Sequence, residues 1–398
     1  MAAGPGAALA SPGMRTFSLQ AAIAGLLVAF VGFASSFAVV LQGLIAVGAS
    51  RAEAASGLMA LSIAMGLCAI VLSLQRRQPI SIAWSTPGAA LLAASGVPEG
   101  GFAAAVGAFL FCGVLLVAAG LWKPLGRWVA AIPASIANAM LAGVLLGLCL
   151  APARAVAALP LQGLAIIIVW AVVARLKRIY AVPAAVVVAV AIIALTADGP
   201  SVPWAALWPQ PVLVWPEFAP ATMVGIGLPL FIVTMASQNI PGMAVLQVNG
   251  YRPEPGPLFR MTGIFSLLGA PFGGHAVNLA AITAAMCAGV DAHPDRARRY
   301  WAAVVAGAGY VVLGLLAGAA TAFVAAAPPV LIEAVAGLAL LGAFAAALLG
   351  AMAELRDREA AAITFLVTAS GIGFFGIGGA FWGLLAGGAM LALSRWRA

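Results

Sequence analysis

The stretch Pro271–Gly289, PFGGHAVNLAAITAAMCAG, decides how this chain is read, because it is apolar throughout yet breaks in its middle. Pro271, Gly273 and Gly274 deny its first part a regular helix. Asn278 then stands where an N-cap would, ahead of the small-residue run LAAITAAMCAG, and His275 lies just before it. A half-helix that starts near the middle of a bilayer turns free N–H groups and the positive end of its dipole into the membrane centre. Backbone of this kind is tolerated at that depth only when buried in protein or lining a cavity. The pattern points to an anion site built inside a membrane.

The composition agrees. Hydrophobic residues make up 64% of the 398, charged residues 8%, and the mean hydropathy is +1.13. These values lie far outside the soluble range and predict an all-α integral membrane protein. Leu19–Val47 is too long for a signal-peptide core and lacks a cleavage site, so it reads as a retained helix. Residues 1–17 read as a disordered tail, Gly/Ala/Pro-rich over 1–13, with Met14 an alternative start. Cys68, Cys112, Cys149 and Cys287 fall in four different apolar segments without paired spacing. They read as small hydrophobes, not as disulfides or metal ligands, and no cofactor is expected.

Fourteen candidate segments follow: Leu19–Val47, Ala54–Leu74, Pro79–Ser95, Phe102–Trp122, Trp128–Leu150, Val156–Ala174, Ala181–Thr196, Pro220–Val245, Leu258–Ala270, Pro271–Ala288, Tyr300–Ala320, Val330–Ala351, Ala360–Phe374 and Gly376–Leu393. With both termini in the cytoplasm, all of the 19 Lys and Arg except Arg51 and Arg154 fall on the inner side. That bias fixes the orientation and makes the +8 charge topogenic, not a nucleic-acid footprint. The Pro/Trp-rich linker 199–219 then lies outside, its tryptophans suited to the interface. It separates two halves of seven segments, 18–198 and 220–398. An odd number per half inserts the second copy upside down. The third segment, ISIAWSTPGAALLAASG, is the counterpart of the broken tenth. Thr86 followed by Pro87 predicts a helix start there, with Thr86 as N-cap.

Two converging half-helix ends carry roughly one positive charge between them. Backbone N–H groups, Ser85, Thr86 and Asn278 could therefore hold a carboxylate. The plainer alternative is that these residues only cap buried helix ends. Gln238 and Asn239, in TMASQNIPGMAVLQVNGY, can donate to and accept from a ligand, or act as glue between helices. His275 is the ionisable group placed nearest the bilayer centre and the proton-coupling candidate. The opposing reading is a neutral imidazole satisfying exposed backbone. Glu333, about a turn into the twelfth segment, is the second proton candidate, against a plain helix-end carboxylate. Phe33, Phe37, Phe231 and Phe272 could wall an aromatic ligand, although phenylalanine facing lipid or other helices is far commoner. His293 in DAHPDRARRY sits in a short basic loop, and its HPD tripeptide carries no function in that setting.

The run from Phe231 to Tyr300, TMASQNIPGMAVLQVNGYRPEPGPLFRMTGIFSLLGAPFGGHAVNLAAITAAMCAGVDAHPDRARRY within it, resembles the benzoate/proton symporter (BenE) family, and AWSTPGAALLAASG matches its first-half motif. The resemblance covers essentially the whole chain. It implies a bacterial inner-membrane secondary transporter of benzoate or related aromatic acids, driven by protons. The fold would be that of nucleobase/cation symporters and sulfate/bicarbonate transporters: a core domain of segments 1–4 and 8–11, and a gate domain of segments 5–7 and 12–14. The ligand would lie at Ser85–Gly88, Gln238–Asn239 and Gly274–Asn278, which brings in Gly88 and Gly274. Relatives in that fold often form homodimers through the gate. Where some nucleobase relatives place acidic residues this chain has amides and a histidine, which suits an anion.

Two function classes compete. A membrane enzyme needs a nucleophile–base pair or a metal cluster within the membrane, and the sequence offers one midplane histidine and no paired carboxylates. A carrier needs what is present. The nearer rival is the same fold carrying a nucleobase, another organic acid or an inorganic anion, or working without coupling. Aromatic carboxylate, protons and membrane lipid are the expected partners, and nucleic acid is not.

Overall fold

Two short extended segments, not helices, occupy the middle of the molecule. In the computed structural model, which describes residues 17–122, 124, 132–196, 208–326, 328–375 and 377–396, Ile82–Trp84 (β1) and Val277–Leu279 (β2) form an antiparallel pair. Ile82 faces Leu279, Ala83 faces Asn278 and Trp84 faces Val277. The ladder runs on at both ends, with Ser85 N–H donating to Ala276 O (2.9 Å) and Ala280 N–H to Ser81 O (3.0 Å). Each lead-in has backbone groups set in an apolar interior, and each satisfies the other's.

This pairing corrects the expected cap at Asn278. The residue is the central, fully buried position of β2. In the amide orientation that satisfies both ends, its Oδ1 accepts from Ser85 N–H (2.9 Å) and its Nδ2 donates to Leu279 O (2.8 Å). The helix behind it begins only at Ile282 and runs to Ala288, with Ala281 at the N-cap and no side-chain cap. A local rule placed the helix start at the first capping residue, but a strand partner about half the chain away in sequence, Ala83, had the stronger claim on the backbone. The other half-helix spans Thr86–Ser95. Its cap is Ser85, whose Oγ accepts from Gly88 N–H at 3.1 Å, so Thr86 is the first helical residue, not the cap.

Other segments depart from single rods. Leu19–Val47 divides into Leu19–Ala34 and Phe37–Ala46. The Ser35 and Ser36 hydroxyls at the break both return to Gly32 O (3.1 and 3.3 Å), the local competition that bends helices. Pro220–Val248 is continuous but contains two π-helical stretches, Met223–Gly227 and Met235–Asn239. Tyr300–Leu315 and Ala317–Ala326 meet at a bend, 57° for their apolar parts. Pro160–Lys177 and Ala181–Thr196 pack on each other through the turn Arg178–Tyr180. Seven helical stretches among the described residues are long and apolar enough to cross a membrane, or eight if the bent pair is one.

The helices sort into two packing groups. Around the strands, Arg51–Arg76 packs on Tyr300–Leu315, and Gly101–Leu121 on Pro255–Gly269. The first pair crosses at Gly66 and Gly307, where a Cβ on either would come 2.5 Å from the other's carbonyl oxygen; only glycine allows that approach. In the second group, Pro329–Ala351 and Arg358–Ala369 pack on Ala134–Cys149, and Gly379–Trp396 packs on Arg358–Ala369. The described part of the linker lies extended over the first group. Val212 N–H donates to Ser56 Oγ (2.9 Å), Val214 N–H to Pro271 O (2.8 Å) and Glu217 N–H to Ala103 O (3.0 Å). Residues 1–16 (Met14 and Arg15 included), Lys123, Arg127, Trp128, the linker residues 199–207, Gly376 and Arg397 lie outside the described residues.

Candidate functional site

A cavity of ≈ 410 Å³ opens where the two strand–helix junctions meet, within the size range of small-molecule sites. Ala83, Trp84, Thr86 and Pro87 form one side. Ala280, Ala281 and Thr283, where β2 passes into its helix, form the other, and Gln238 lies between them. Tyr310 and the break at Ser35–Ser36 reach the wall from the first packing group. Leu338, Ala339, Leu340, Gly342 and Ala343 reach it from the second, and Trp170 and Arg178 from the helical hairpin packed on that group. No Asp or Glu among the described residues lines it.

The polar framework behind the wall is closed on itself. Thr234 Oγ1 donates to Ser85 Oγ (2.9 Å). Ser81 and Thr283 hydroxyls lie 3.2 Å apart. Asn239 Oδ1 accepts Leu279 N–H at 2.8 Å, and its Nδ2 faces Met235 Sδ at 3.2 Å. The π-helical turn Met235–Asn239 thus aims Gln238 at the cavity and Asn239 at β2. Irregular turns of this kind are a recurrent way to re-aim adjacent side chains at a site.

Of the residues singled out from the sequence, Thr86 and Gln238 line the cavity. Ser85, Gly88, Asn239 and Asn278 are buried just behind it and hold its wall in place. Gly274 and His275 lie in the loop Gly273–Ala276 that leads into β2, away from the cavity lining. Gly273 there adopts φ +89°, which is why a glycine stands at the turn. His275 is fully buried. Its Nδ1 accepts Ala276 N–H at 2.7 Å, so the neutral ring carries its proton on Nε2, which has no hydrogen-bond partner among the described residues. The ring meets Phe109 edge-on at 6.3 Å. Glu333 is half-buried on Pro329–Ala351 and does not line the cavity.

The phenylalanines follow the commoner of their two readings. Phe33, Phe37, Phe231 and Phe272 do not line the cavity. Phe33 instead meets Trp84 edge-on at 5.5 Å and stacks on Phe37 at 5.6 Å, while Trp84 Nε1–H donates to Ser36 Oγ at 2.9 Å. The aromatic faces at the cavity are Trp84, Trp170 and Tyr310. Only Trp84 stood inside a stretch marked by the sequence. Trp170, Arg178 and Tyr310 belong to ordinary-looking apolar helices or their turns, and nothing local distinguishes them.

The fold is shared with membrane transporters of known structure. The transmembrane domain of a cyanobacterium bicarbonate transporter, BicA, superposes with TM-score 0.59 at 15% identity, over 93% of this chain and 98% of that one. The overall structure of SLC26A9 gives 0.60 at 14%, over 94% and 65%. The murine SLC26A9 anion transporter in the inward-facing state gives 0.59 at 14%, over 96% and 68%. The class is therefore a multi-pass, all-helical membrane protein with the BicA/SLC26 fold. Within it, the family model "BenE: Benzoate membrane transport protein" matches residues 15–393, and the chain belongs to that family: it is a membrane transporter, not an enzyme. Curated relatives are the inner membrane protein YdcO of Escherichia coli K12, 40% identical over 94% of this chain and 96% of that one, and the benzoate membrane transport protein of Acinetobacter baylyi, 32% identical over 94% of each.

Proposed function

We propose that this protein is a secondary active transporter that imports benzoate or a related aromatic carboxylate with protons across a bacterial inner membrane, its termini cytoplasmic. The observation that carries the reading is the cavity itself. It combines broad aromatic faces, the first turn of a half-helix, neutral hydrogen-bonding groups (Thr86, Gln238, Thr283) and no carboxylate among its described lining residues. An aromatic acid needs such a set: flat apolar walls for the ring, and positive potential without competing acid for its carboxylate.

The alternating-access frame we assign is a seven-plus-seven inverted repeat of fourteen segments, with halves at 18–198 and 220–398. Packing supports it. If segment n corresponds to segment n + 7, the contact of the second with the eleventh must recur as the ninth with the fourth. Those are the two glycine-rich crossings, Arg51–Arg76 on Tyr300–Leu315 and Pro255–Gly269 on Gly101–Leu121. The strand pair, third with tenth, is its own counterpart, as is Ala134–Cys149 on Pro329–Ala351, fifth with twelfth. The core group would then move against the gate group around the cavity, as in other inverted-repeat carriers. His275 and Glu333 are the groups assigned to coupling. With His275 sealed behind the wall, a proton reaches it only when the loop Gly273–Ala276 moves.

Uptake of labelled benzoate into proteoliposomes, with and without an inward proton gradient, tests the reading. Concentrative uptake under the gradient, with weak competition by the uncharged isostere benzamide, is expected. Equal competition by benzamide, or uptake blind to the gradient, refutes the anion site or the coupling respectively.

A further inference from the structure

We propose that Arg178 binds the anion at the cytoplasmic mouth of the cavity, where an imported ligand leaves, and selects for a negatively charged ligand; this rests on the transport reading above. Every formal charge on a cavity wall bears on an anion, and among the described lining residues Arg178 carries the one present. It opens the turn Arg178–Tyr180 between Pro160–Lys177 and Ala181–Thr196. The inner-side bias of basic residues places this turn at the cytoplasmic face. The side chain is exposed to the opening. It takes no part in the ion pairs of the described residues, which are Arg298–Asp295 and Arg395–Asp357. A guanidinium left without a carboxylate in a cavity free of acid is a standing donor fork for an incoming carboxylate.

Room for that fork is built into the facing helix. Gly342, on Pro329–Ala351, also lines the cavity, and a Cβ there would lie 3.2 Å from an Arg178 guanidinium nitrogen. The bare glycine lets the guanidinium lie against the helix backbone, across the opening. Trp170, two turns earlier on the same helical hairpin, lines the same cavity. An aromatic acid thus finds a ring face and a cation on one element between the strand–helix junctions and the cytoplasmic opening.

The test is half-saturation for benzoate added at the cytoplasmic face of inside-out proteoliposomes. Arg178→Gln should raise it about five- to tenfold with little change in maximal rate, and Arg178→Lys, which keeps the charge but not the fork, should recover only part of the loss. Raising ionic strength should weaken binding to the wild type more than to Arg178→Gln. Arg175 and Lys177 remain in both variants, so orientation is kept. Gly342→Ala crowds the guanidinium while favouring the helix, and should reproduce part of the shift in a folded protein. Unchanged half-saturation and salt response in folded Arg178→Gln overturns the inference while leaving benzoate transport intact. If the wild type carries no benzoate, the transport reading fails instead. A wild type carrying another acid is then judged by the same comparison on that acid, and one that carries a neutral nucleobase overturns both.

Discussion

Gln238 and Asn239 are chemically similar neighbours that the structure assigns opposite work, and alanine at each separates a ligand contact from structural glue. Asn239 Oδ1 accepts Leu279 N–H at 2.8 Å, and Leu279 is 1% exposed. Asn239→Ala leaves that N–H buried without its partner. Side-chain hydrogen bonds between membrane helices average only about 0.6 kcal/mol, because the groups find other partners. Leu279 cannot easily do so, since it is held in β2 by its register with Ile82. An unsatisfied buried donor costs about 1–3 kcal/mol, so roughly 2 kcal/mol of stability should be lost. Gln238 is half-buried and lines the cavity. Gln238→Ala strands nothing in the protein and should change stability by less than about 0.5 kcal/mol. What it removes is one neutral hydrogen bond to ligand, about 1 kcal/mol, or roughly fivefold in half-saturating benzoate. Thermal unfolding in detergent, read beside benzoate uptake, measures both. A lowered melting temperature for Gln238→Ala with none for Asn239→Ala would refute the assignment.

Arg299 is buried and holds three carbonyls, His293 O (2.6 Å), Ala288 O (2.7 Å) and Pro294 O (3.3 Å), so it closes the C-terminal end of the half-helix Ile282–Ala288. Arg299→Ala should lose about 3 kcal/mol or more and speed hydrogen exchange first around 285–294; uniform exchange would contradict local capping. Gly307→Val drives a branched side chain into the carbonyl of Gly66 and should cost about 1–3 kcal/mol through overpacking, read as a lower melting temperature, whereas Gly388→Val, with open space around its Cβ position, should not. His275→Gln should keep ligand exchange yet lose accumulation under an inward proton gradient. Full accumulation by that variant would clear His275 and move the coupling to Glu333 or to the ligand itself.

Where the cavity lies was partly legible because membranes penalise irregular backbone so heavily. Pro271, Gly273 and Gly274 in one apolar stretch, and Ser85-Thr86-Pro87 in its counterpart, cannot continue a helix, and each stretch does pass from extended chain into a half-helix. The division of labour between adjacent residues was not legible. Asn278 has the chemistry of a cap and a place before a helical run, yet it serves a strand. Gln238 and Asn239 differ by one methylene, yet only the first faces the cavity. Phe33 and Phe37 lie where an aromatic wall was expected but brace Trp84, which forms it.

Composition and the paired breaks are properties of the chain's solvation, and solvation by lipid can be judged residue by residue: by themselves they determined a helical membrane protein and two places where a regular helix gives way. Which groups then satisfied one another was a three-dimensional matter. β1 and β2 could be recognised as strands only once each stood beside the other, because their hydrogen bonds join residues about half the chain apart. The same holds for the cavity's cation. Arg178 is one basic residue among several around a turn between two helices, and becomes part of the cavity wall only because the helix Pro329–Ala351 brings bare Gly342 against it. Local propensity carries no information on such meetings; packing alone decides them.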